Sequence, residues 1–323
     1  MKIKILKTIG LALLLATTTI SNAQLKFVNP PQEPALFGGT MINSSAGERD
    51  FALSPDGTEL FYTLQSPRST NFQTIVYRKK NAKGVWSKPS LAPFAGNYSD
   101  LEPFFSQDGN ELFFSSNRPL NGKAIKDFDI WYVKKEKGKW GEPHNLGSPI
   151  NTDKDEFYPS VAANGNLYFT AAYSNAIGKE DIYIARWNIN KYEVPVPLDS
   201  AVNSKTYEFN AFVSPDESYI IFSSYGRNDD RGGGDLYMST KNENGYWQPA
   251  KALQLLNSEK IDYCPFVSAD KKILFFTSER TNLQNFYDQR IGFEELKNNI
   301  TGLLNGSGNI YWVSFEKILS LYK

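Results

Sequence analysis

Carboxylate side chains recur along this chain at a regular spacing, and they are the groups best suited to chemistry. Five acids precede apolar segments of similar pattern: Glu48, Asp100, Glu156, Glu208 and Asp262. If those segments pack side by side, the acids gather in a ring, where like charges repel unless a cation bridges them. Calcium prefers oxygen ligands, so this acid column predicts an electronegative mouth that binds calcium or a cationic ligand.

The same acids also suit a structural role. An asparagine precedes each of them: Asn43, Asn97, Asn151, Asn203 and Asn257. Short polar side chains ahead of a strand bond the backbone N–H groups of nearby loops. A residue that recurs in every repeat is expected of a position that builds the repeat, so the structural role is the first interpretation of both columns.

A second column follows two residues after the acids, and its members differ in type. They are Asp50, Glu102, Tyr158, Asn210 and Cys264. Residues two apart share one face of a strand, so we expect this column to line the same wall. Because a ligand contact need not recur in every repeat, Asp50, Glu102, Tyr158 and Asn210 are the predicted ligand-binding residues. Asp50 and Glu102 could also supply the acid and nucleophile of a glycosidase.

Other catalytic patterns are missing from the sequence. His144 is the single histidine, which leaves no histidine metal cluster, and it stands in a predicted outer strand, away from any channel. Cys264 is the single cysteine, so an internal disulfide is excluded and the thiol is expected to be a small buried apolar group. No catalytic residue is assigned, and no cofactor other than calcium is expected.

The elements that position these columns repeat five times. Asp-Gly or Asn-Gly turns between apolar runs stand at 56–57, 108–109 and 164–165, and related turns follow near 216 and 270. A third apolar strand follows each hairpin, and an aromatic residue followed by proline announces a fourth. Four short strands per unit of about fifty residues predict an all-β β-propeller. We expect five four-stranded blades, with six as the alternative.

Two further segments complete the predicted ring. Residues 33–39 parallel 142–147, so the N-terminal segment is expected to supply the outer strand that the fifth unit lacks. Between 292 and 304, Phe293, Leu296 and Ile300 fall at helical spacing, which predicts one inserted helix. We expect its apolar stripe to cap the last blade, and a lid or partner-docking helix is the alternative.

The first residues have the pattern of a secretory leader. Residues 1–23 combine basic residues, a short apolar core and a Ser-Asn-Ala cleavage site, so cleavage after Ala23 is expected. No lipobox cysteine follows, and no later segment is apolar for long enough to span a membrane. We therefore expect a single propeller domain over 24–323, periplasmic or secreted and monomeric. With 35 basic and 35 acidic residues, the charge balance gives no sign of a nucleic-acid partner.

Four motifs give the chain a family resemblance. They are Ser-Pro-Asp-Gly at 54–57, Ser-Ser-Asn-Arg-Pro at 115–119, Asp-Ile-Trp-Tyr at 129–132 and Trp-Gly-Glu-Pro at 140–143. In these the chain resembles the TolB-like, WD-repeat-like β-propellers of exported bacterial proteins. The resemblance covers the chain after the leader and implies the fold; such propellers serve as docking platforms, glycan binders and accessory domains. We therefore expect a non-enzymatic module that binds an envelope protein or glycan. The alternative is a carbohydrate-active enzyme of the glycoside hydrolase type that uses channel-mouth carboxylates.

Overall fold

The computed structural model describes residues 25–67, 69–121 and 124–322. The predicted leader, 1–23, lies outside these residues. The described chain is all-β with two short helices, and its main sheets are the five blades of a propeller, as predicted. Each blade is an antiparallel sheet whose strands follow one another from the central channel outward.

The strand bounds of the blades are as follows. Blade 1 comprises Gly47–Leu53, Glu59–Gln65, Gln73–Lys79 and Ser90–Leu91. Blade 2 comprises Asp100–Phe105, Glu111–Ser116, Asp129–Glu136 and His144–Asn145, with Lys139–Trp140 as a side hairpin. Blade 3 comprises Glu156–Val161, Leu167–Ala171, Asp181–Ala185 and Val196–Pro197, with a separate hairpin of Trp187–Asn188 and Lys191–Tyr192. Blade 4 comprises Tyr207–Val213, Tyr219–Tyr225, Asp235–Thr240 and Lys251–Ala252. Blade 5 comprises Asp262–Val267, Ile273–Ser278 and Asn309–Ser314, completed by Ala35–Leu36.

The N-terminal strand closes the ring, which confirms the prediction from the repeat pattern. Ala35 pairs with Trp312 and Leu36 with Tyr311. The next residue, Phe37, is 1% exposed, and its ring lies 5.0 Å from that of Phe275. Closure therefore joins the two ends of the described chain through both a strand pair and an aromatic cluster.

Each inner strand carries a β-bulge of one extra residue. In blade 1, Arg49 pairs with Thr63, whereas Ala52 pairs with Phe61, so three steps on the inner strand match two on its partner. The bulged residues adopt a left-handed backbone at φ of 58°, 60°, 52°, 50° and 54°; they are Asp50, Glu102, Tyr158, Asn210 and Cys264. A left-handed conformation is uncommon for residues other than glycine. The predicted ligand column is therefore also the column of strained backbone.

Two residues of the bulge column are held by a threonine of the preceding blade. The backbone N–H of Glu102 donates to Thr63 Oγ1 of blade 1 at 3.1 Å, and that of Asn210 donates to Thr170 Oγ1 of blade 3 at 3.2 Å. A bulge frees backbone groups from the strand ladder, and these hydroxyls accept the freed N–H groups. The bulges therefore belong to the packing of adjacent blades and not to one blade alone.

Phenyl rings close the channel at the far ends of the inner strands. Phe104, Phe212 and Phe266 come from three different blades, and their ring centroids lie 5.7–6.5 Å apart. Phe51 joins them at 6.2 Å from Phe266. Aromatic side chains therefore fill the channel at this end.

The helices differ from the sequence prediction in one respect. The first, α1, spans Phe293–Thr301 inside the predicted range, but it buries no residue, and Phe293 and Ile300 are 75% and 51% exposed. The expected apolar cap over the last blade is therefore wrong. The second, α2, spans Phe315–Tyr322 and packs through Phe315 and Ile318. Neither helix of the described chain is long and apolar enough to cross a membrane.

Candidate functional site at the channel mouth

The acid column is bonded within its own blades and does not meet at the channel. Glu208 accepts hydrogen bonds from the backbone N–H and hydroxyl of Ser204, both at 2.7 Å, and pairs with Arg227 at 2.9 Å. The same bonds from a serine or threonine four residues earlier are made to Glu48, Glu156 and Asp262. Asp100 instead pairs with Arg118 at 2.6 Å.

These contacts give the acids a structural role. Each carboxylate organises the loop before its inner strand, as short polar groups do at such positions. Within residues 25–67, 69–121 and 124–322, no group of three or more His, Cys, Asp or Glu side chains is arranged to hold a metal ion. The expectation that Glu48, Asp100, Glu156, Glu208 and Asp262 gather in a ring is therefore not met, because each is turned toward its own blade. Calcium binding stays a prediction that this geometry does not support.

The asparagines ahead of the acids act as clamps between blades. Asn151, ahead of blade 3, accepts from the backbone N–H of Ile130 and donates to its carbonyl, both at 2.9 Å. Asn203 and Asn257 make the same two bonds to Ile182 and Leu236. Such an amide extends the third strand of the preceding blade. Asn97 departs from the pattern, since it is exposed.

The bulge column builds the floor of the channel mouth around Arg49. The Nε of Arg49 donates to Asp50 Oδ1 at 2.9 Å, and its Nη2 donates to Glu102 Oε1 at 2.9 Å. The guanidinium also lies 5.2 Å from the ring centre of Tyr263. One cation therefore joins the carboxylates of blades 1 and 2.

Glu102 is the centre of this network. Its Oε2 accepts from the backbone N–H of Tyr158 at 2.7 Å, and its Oε1 accepts from Asn210 Nδ2 at 3.3 Å. The Cys264 thiol lies 3.5 Å from Asn210 Oδ1. The structure thus brings together all four predicted ligand residues, Asp50, Glu102, Tyr158 and Asn210, in one buried hydrogen-bonded set.

Burial dominates the electrostatics of the set. It raises the pKa of Glu102 to about 7; Arg49 opposes that rise, and Asp50 adds to it. Both carboxylates are buried away from water, and one guanidinium cannot neutralise the two of them. The protonated form of Glu102 is therefore favoured by burial. Burial also raises the pKa of the Cys264 thiol well above its usual range, so this thiol is a poor nucleophile.

A cavity of about 350 Å³ lies above this floor. Glu102, Asn210 and Arg49 line its base, and a further carboxyl, that of Glu180, lines its wall. Neutral hydrogen-bonding groups, aromatic rings and two aliphatic side chains complete the lining: Asn71, Gln73, Thr170, Phe128, Phe157, Phe209, Tyr263, Leu101 and Ile261. Asp50 and Tyr158 are absent from this lining; Asp50 is 2% exposed beside Arg49, and the Tyr158 hydroxyl donates to the Pro265 carbonyl at 3.1 Å.

Glu180 is a second acid whose pKa is raised. Burial, with the nearby Asp155 as a smaller cause, raises the pKa of Glu180 to about 7. It precedes the third strand of blade 3, and its backbone carbonyl accepts from Glu208 N–H at 2.9 Å. Two carboxyls on different elements thus face one cavity, and both titrate near neutrality.

Sequence reasoning missed Arg49, Tyr263 and Glu180. Strict alternation places Arg49 on the opposite face from Glu48 and Asp50, but the bulge turns it toward the channel. A signal did exist: the residues at this position in the five repeats also differ in type, as Arg49, Leu101, Phe157, Phe209 and Tyr263. Glu180 lies outside the repeat columns, so no comparison among repeats singles it out.

Comparisons with known proteins address the fold. No protein-family model matches the chain, and no curated protein sequence does. A solved glycoside hydrolase aligns at a TM-score of 0.55 and 9% identity, over 88% of this chain and 91% of its own. BT0996, solved as an RGII complex, aligns at 0.54 and 8% identity, over 88% and 91%. The GH32 β-fructofuranosidase BmSUC1 of Bombyx mori aligns at 0.51 and 11% identity, over 90% of this chain and 63% of its own.

These similarities support a β-propeller and correct one expectation. The finer TolB-like or WD-repeat-like assignment has no family match behind it. Two of the three similar propellers are named as a glycoside hydrolase and a β-fructofuranosidase. These names contradict the expectation of a non-enzymatic binding module. At 9% and 11% identity the similarity shows the fold alone, so the alternative, a carbohydrate-active enzyme, is a proposal.

Proposed function

We propose that the protein is a glycoside hydrolase whose active site is the cavity at the channel mouth. The observation that carries the proposal is the pair Glu102 and Glu180, two carboxyls with a pKa of about 7 that line the same cavity. Glycosidic cleavage uses one carboxyl to protonate the leaving oxygen and another to act as nucleophile or to activate water. A carboxyl whose pKa is raised to near neutrality suits the general acid of such a reaction.

The surroundings of the two carboxyls suggest their roles. Glu102 accepts hydrogen bonds from Arg49, from Asn210 and from the Tyr158 N–H, and these donors orient it and favour its ionised form. Glu102 is therefore the carboxylate that either attacks the anomeric carbon or takes a proton from the attacking water. Glu180 has its pKa raised by burial and by Asp155, which favours its protonated form, so it is the general acid.

The rest of the lining suits a sugar ring. The amides of Asn71, Gln73 and Asn210 offer both donors and acceptors to hydroxyl groups. The rings of Phe128, Phe157 and Phe209 offer faces for the apolar side of a sugar. The cavity of about 350 Å³ is within the range of small-molecule sites.

Release of reducing ends from a panel of plant and bacterial polysaccharides tests the proposal. We expect turnover of at least one neutral polysaccharide by the full chain. Turnover of none of them, by protein whose unfolding is cooperative, would overturn the proposed function.

We further propose that the protein is exported and works as a monomer. We also propose that it is related to the TolB-like propellers. The leader pattern at 1–23 and the four motifs of the resemblance support this. Mass spectrometry of the protein recovered from the periplasm or medium should show Gln24 as the first residue. An uncleaved leader would contradict export by this route.

A further inference from the structure

The clefts between blades follow a common pattern in blades 1, 2 and 4; blade 3 departs from it, and in blade 5 helix α2 follows the third strand instead. In three blades a tryptophan on the side hairpin or its equivalent is 7–9% exposed, and a lysine nitrogen lies 4.7–4.9 Å above its ring centre. The pairs are Lys80 with Trp86, Lys135 with Trp140, and Lys241 with Trp247. Trp140 fills the cleft between blades 1 and 2, where it lies 5.8 Å from Phe61 and 5.9 Å from Phe105.

Blade 3 departs from this pattern at the lysine position and at the tryptophan position. Trp187 pairs with Tyr192 in the register in which Lys135 pairs with Trp140. The smaller tyrosine thus stands where blades 1, 2 and 4 have an indole, and an indole replaces the lysine. The two rings lie 4.8 Å apart, edge to face, and Trp187 remains 42% exposed. The turn residue Gly165 supports the indole, since a Cβ there would lie 3.0 Å from it.

The exchange leaves the cleft between blades 2 and 3 unfilled. A cavity of about 460 Å³ lies there, walled by Phe113, Tyr132, Leu146, Trp187 and Tyr192. It also touches the turns that follow the inner strands, at 106–108 and 162–165. Those turns lie at the opposite end of the inner strands from the channel mouth, so this cavity is separate from the proposed active site.

The polar groups in the cleft between blades 2 and 3 also differ from those in the cleft between blades 1 and 2. Glu59 in the cleft between blades 1 and 2 is bonded by Lys135 of the next blade at 2.5 Å, and its side chain is 1% exposed. Glu111 is its counterpart one blade on, but Trp187 stands in place of that lysine. The Glu111 side chain is 33% exposed, lines the cavity and pairs with Lys134 of its own blade at 3.0 Å. Its remaining lone pairs therefore face the open cleft.

We propose that this cleft is a second carbohydrate-binding site that holds a neutral sugar unit of an oligosaccharide. The exposed indole of Trp187 offers a flat apolar face for the ring, as aromatic side chains do when one side is dry and the other wet. Glu111 accepts from hydroxyl groups, and Lys134 donates to them. The pair carries no net charge, which suits a neutral sugar. The site lies on the face of the propeller opposite the channel mouth, and binding there does not depend on turnover at the mouth.

The fluorescence of Trp187 gives a local test, because no tryptophan lines the channel mouth and Trp187 is the most exposed indole of the described chain. The probes are xylohexaose, cellohexaose and arabinohexaose, with iodide as the quencher. We expect at least one of them to protect the wild-type indole from iodide at millimolar concentration. Trp187→Ala should weaken binding of that hexasaccharide by about tenfold or more in calorimetry. Glu102→Gln should leave the protection in place.

A restoring variant separates binding from folding. The double substitution Trp187→Lys with Tyr192→Trp rebuilds the lysine–tryptophan pair of blades 1, 2 and 4 and offers Glu111 a cation across the cleft. We expect it to unfold at or above the wild-type temperature and to lose the binding. Protection by none of the hexasaccharides, or unchanged affinity in the double variant, would overturn the second site. Protection without any turnover would leave this site standing and remove the proposed function.

Discussion

Arg49 and Glu102 form the contact on which the channel mouth is built, with Nη2 and Oε1 2.9 Å apart and Asp50 bound to the same guanidinium at 2.9 Å. The two carboxylates are 1% and 3% exposed, and Arg49 is 14% exposed. A single cation therefore holds two buried acids from adjacent blades in a fixed orientation. That arrangement stabilises the ring, and Arg49 opposes the rise in the pKa of Glu102 that burial causes.

The first prediction follows from this shared cation. Arg49→Met keeps most of the side-chain volume but leaves Asp50 and Glu102 buried without a counter-charge. Breaking a buried ion pair from one side costs about 3–5 kcal/mol, so the free energy of unfolding in urea should fall by that amount near neutral pH. Arg290→Met, at an exposed position, is the matched control. A loss for Arg49→Met no larger than that of the control would show that the contact contributes little.

The second prediction concerns the acid column and metal. Glu208→Gln removes the charge that pairs with Arg227 at 2.9 Å, and we expect it to cost about 3–5 kcal/mol of stability. Calcium or a chelator should leave the melting temperature of the wild type unchanged, because each acid is bonded within its own blade. A calcium-dependent rise in melting temperature that Glu208→Gln abolishes would restore the metal-binding interpretation.

The third prediction is a dependence of stability on pH. Burial raises the pKa of Glu156 from 4.5 to about 7, although Thr152 and Tyr173 donate to it. Between these values the folded chain retains a proton that the unfolded chain has released, so this group lowers stability as pH rises through the window. Relative to that of Glu156→Gln, the free energy of unfolding of the wild type should fall by about 1–3 kcal/mol between about pH 4.5 and about pH 8.

Denaturant unfolding of both proteins at the two pH values measures the effect. The exposed Glu142→Gln variant should follow the wild type throughout. A constant difference between wild type and Glu156→Gln across the window would mean that Glu156 titrates normally.

The fourth prediction concerns ring closure. Phe37 follows the closing strand, is 1% exposed and packs against Phe51, Phe275 and Trp312. Phe37→Ala should lower the free energy of unfolding by about 3–5 kcal/mol, since it empties a buried aromatic site. Val28→Ala, at a side chain 63% exposed, should change it by less than about 0.5 kcal/mol. Equal effects of the two substitutions would mean that the N-terminal segment is not docked on blade 5.

The repeat pattern predicted most of the fold because its signals are local. Turns such as 54–57 set the hairpins, and the likeness of 33–39 to 142–147 identified the closing strand. The asparagine clamps were also accessible, since Asn151 recurs in position and its short amide suits backbone bonds. Helix α1 was placed correctly, but its exposure was not, because apolar spacing shows where a helix forms and not what covers it.

The candidate site was predicted only in part, and the reason is the bulge. The column of Asp50 and Glu102 was found because its residue types vary among repeats. Arg49 was not, because alternation along a regular strand points it away from the channel. The extra residue that reverses this depends on bonds such as Glu102 N–H to Thr63, which join different blades. Glu180 reaches the cavity from a loop of blade 3, a proximity that only the closed ring creates.

The turnover number of Glu102→Gln on any polysaccharide that the wild type cleaves tests the central claim most directly. Glutamine keeps the size of the side chain but can neither attack nor accept a proton, so kcat should fall by about a thousandfold or more. Glu180→Gln should lower it similarly by removing the acid, and the exposed Glu142→Gln should leave it unchanged. The account predicts these losses with cooperative unfolding retained; wild-type kcat in folded Glu102→Gln protein would contradict it.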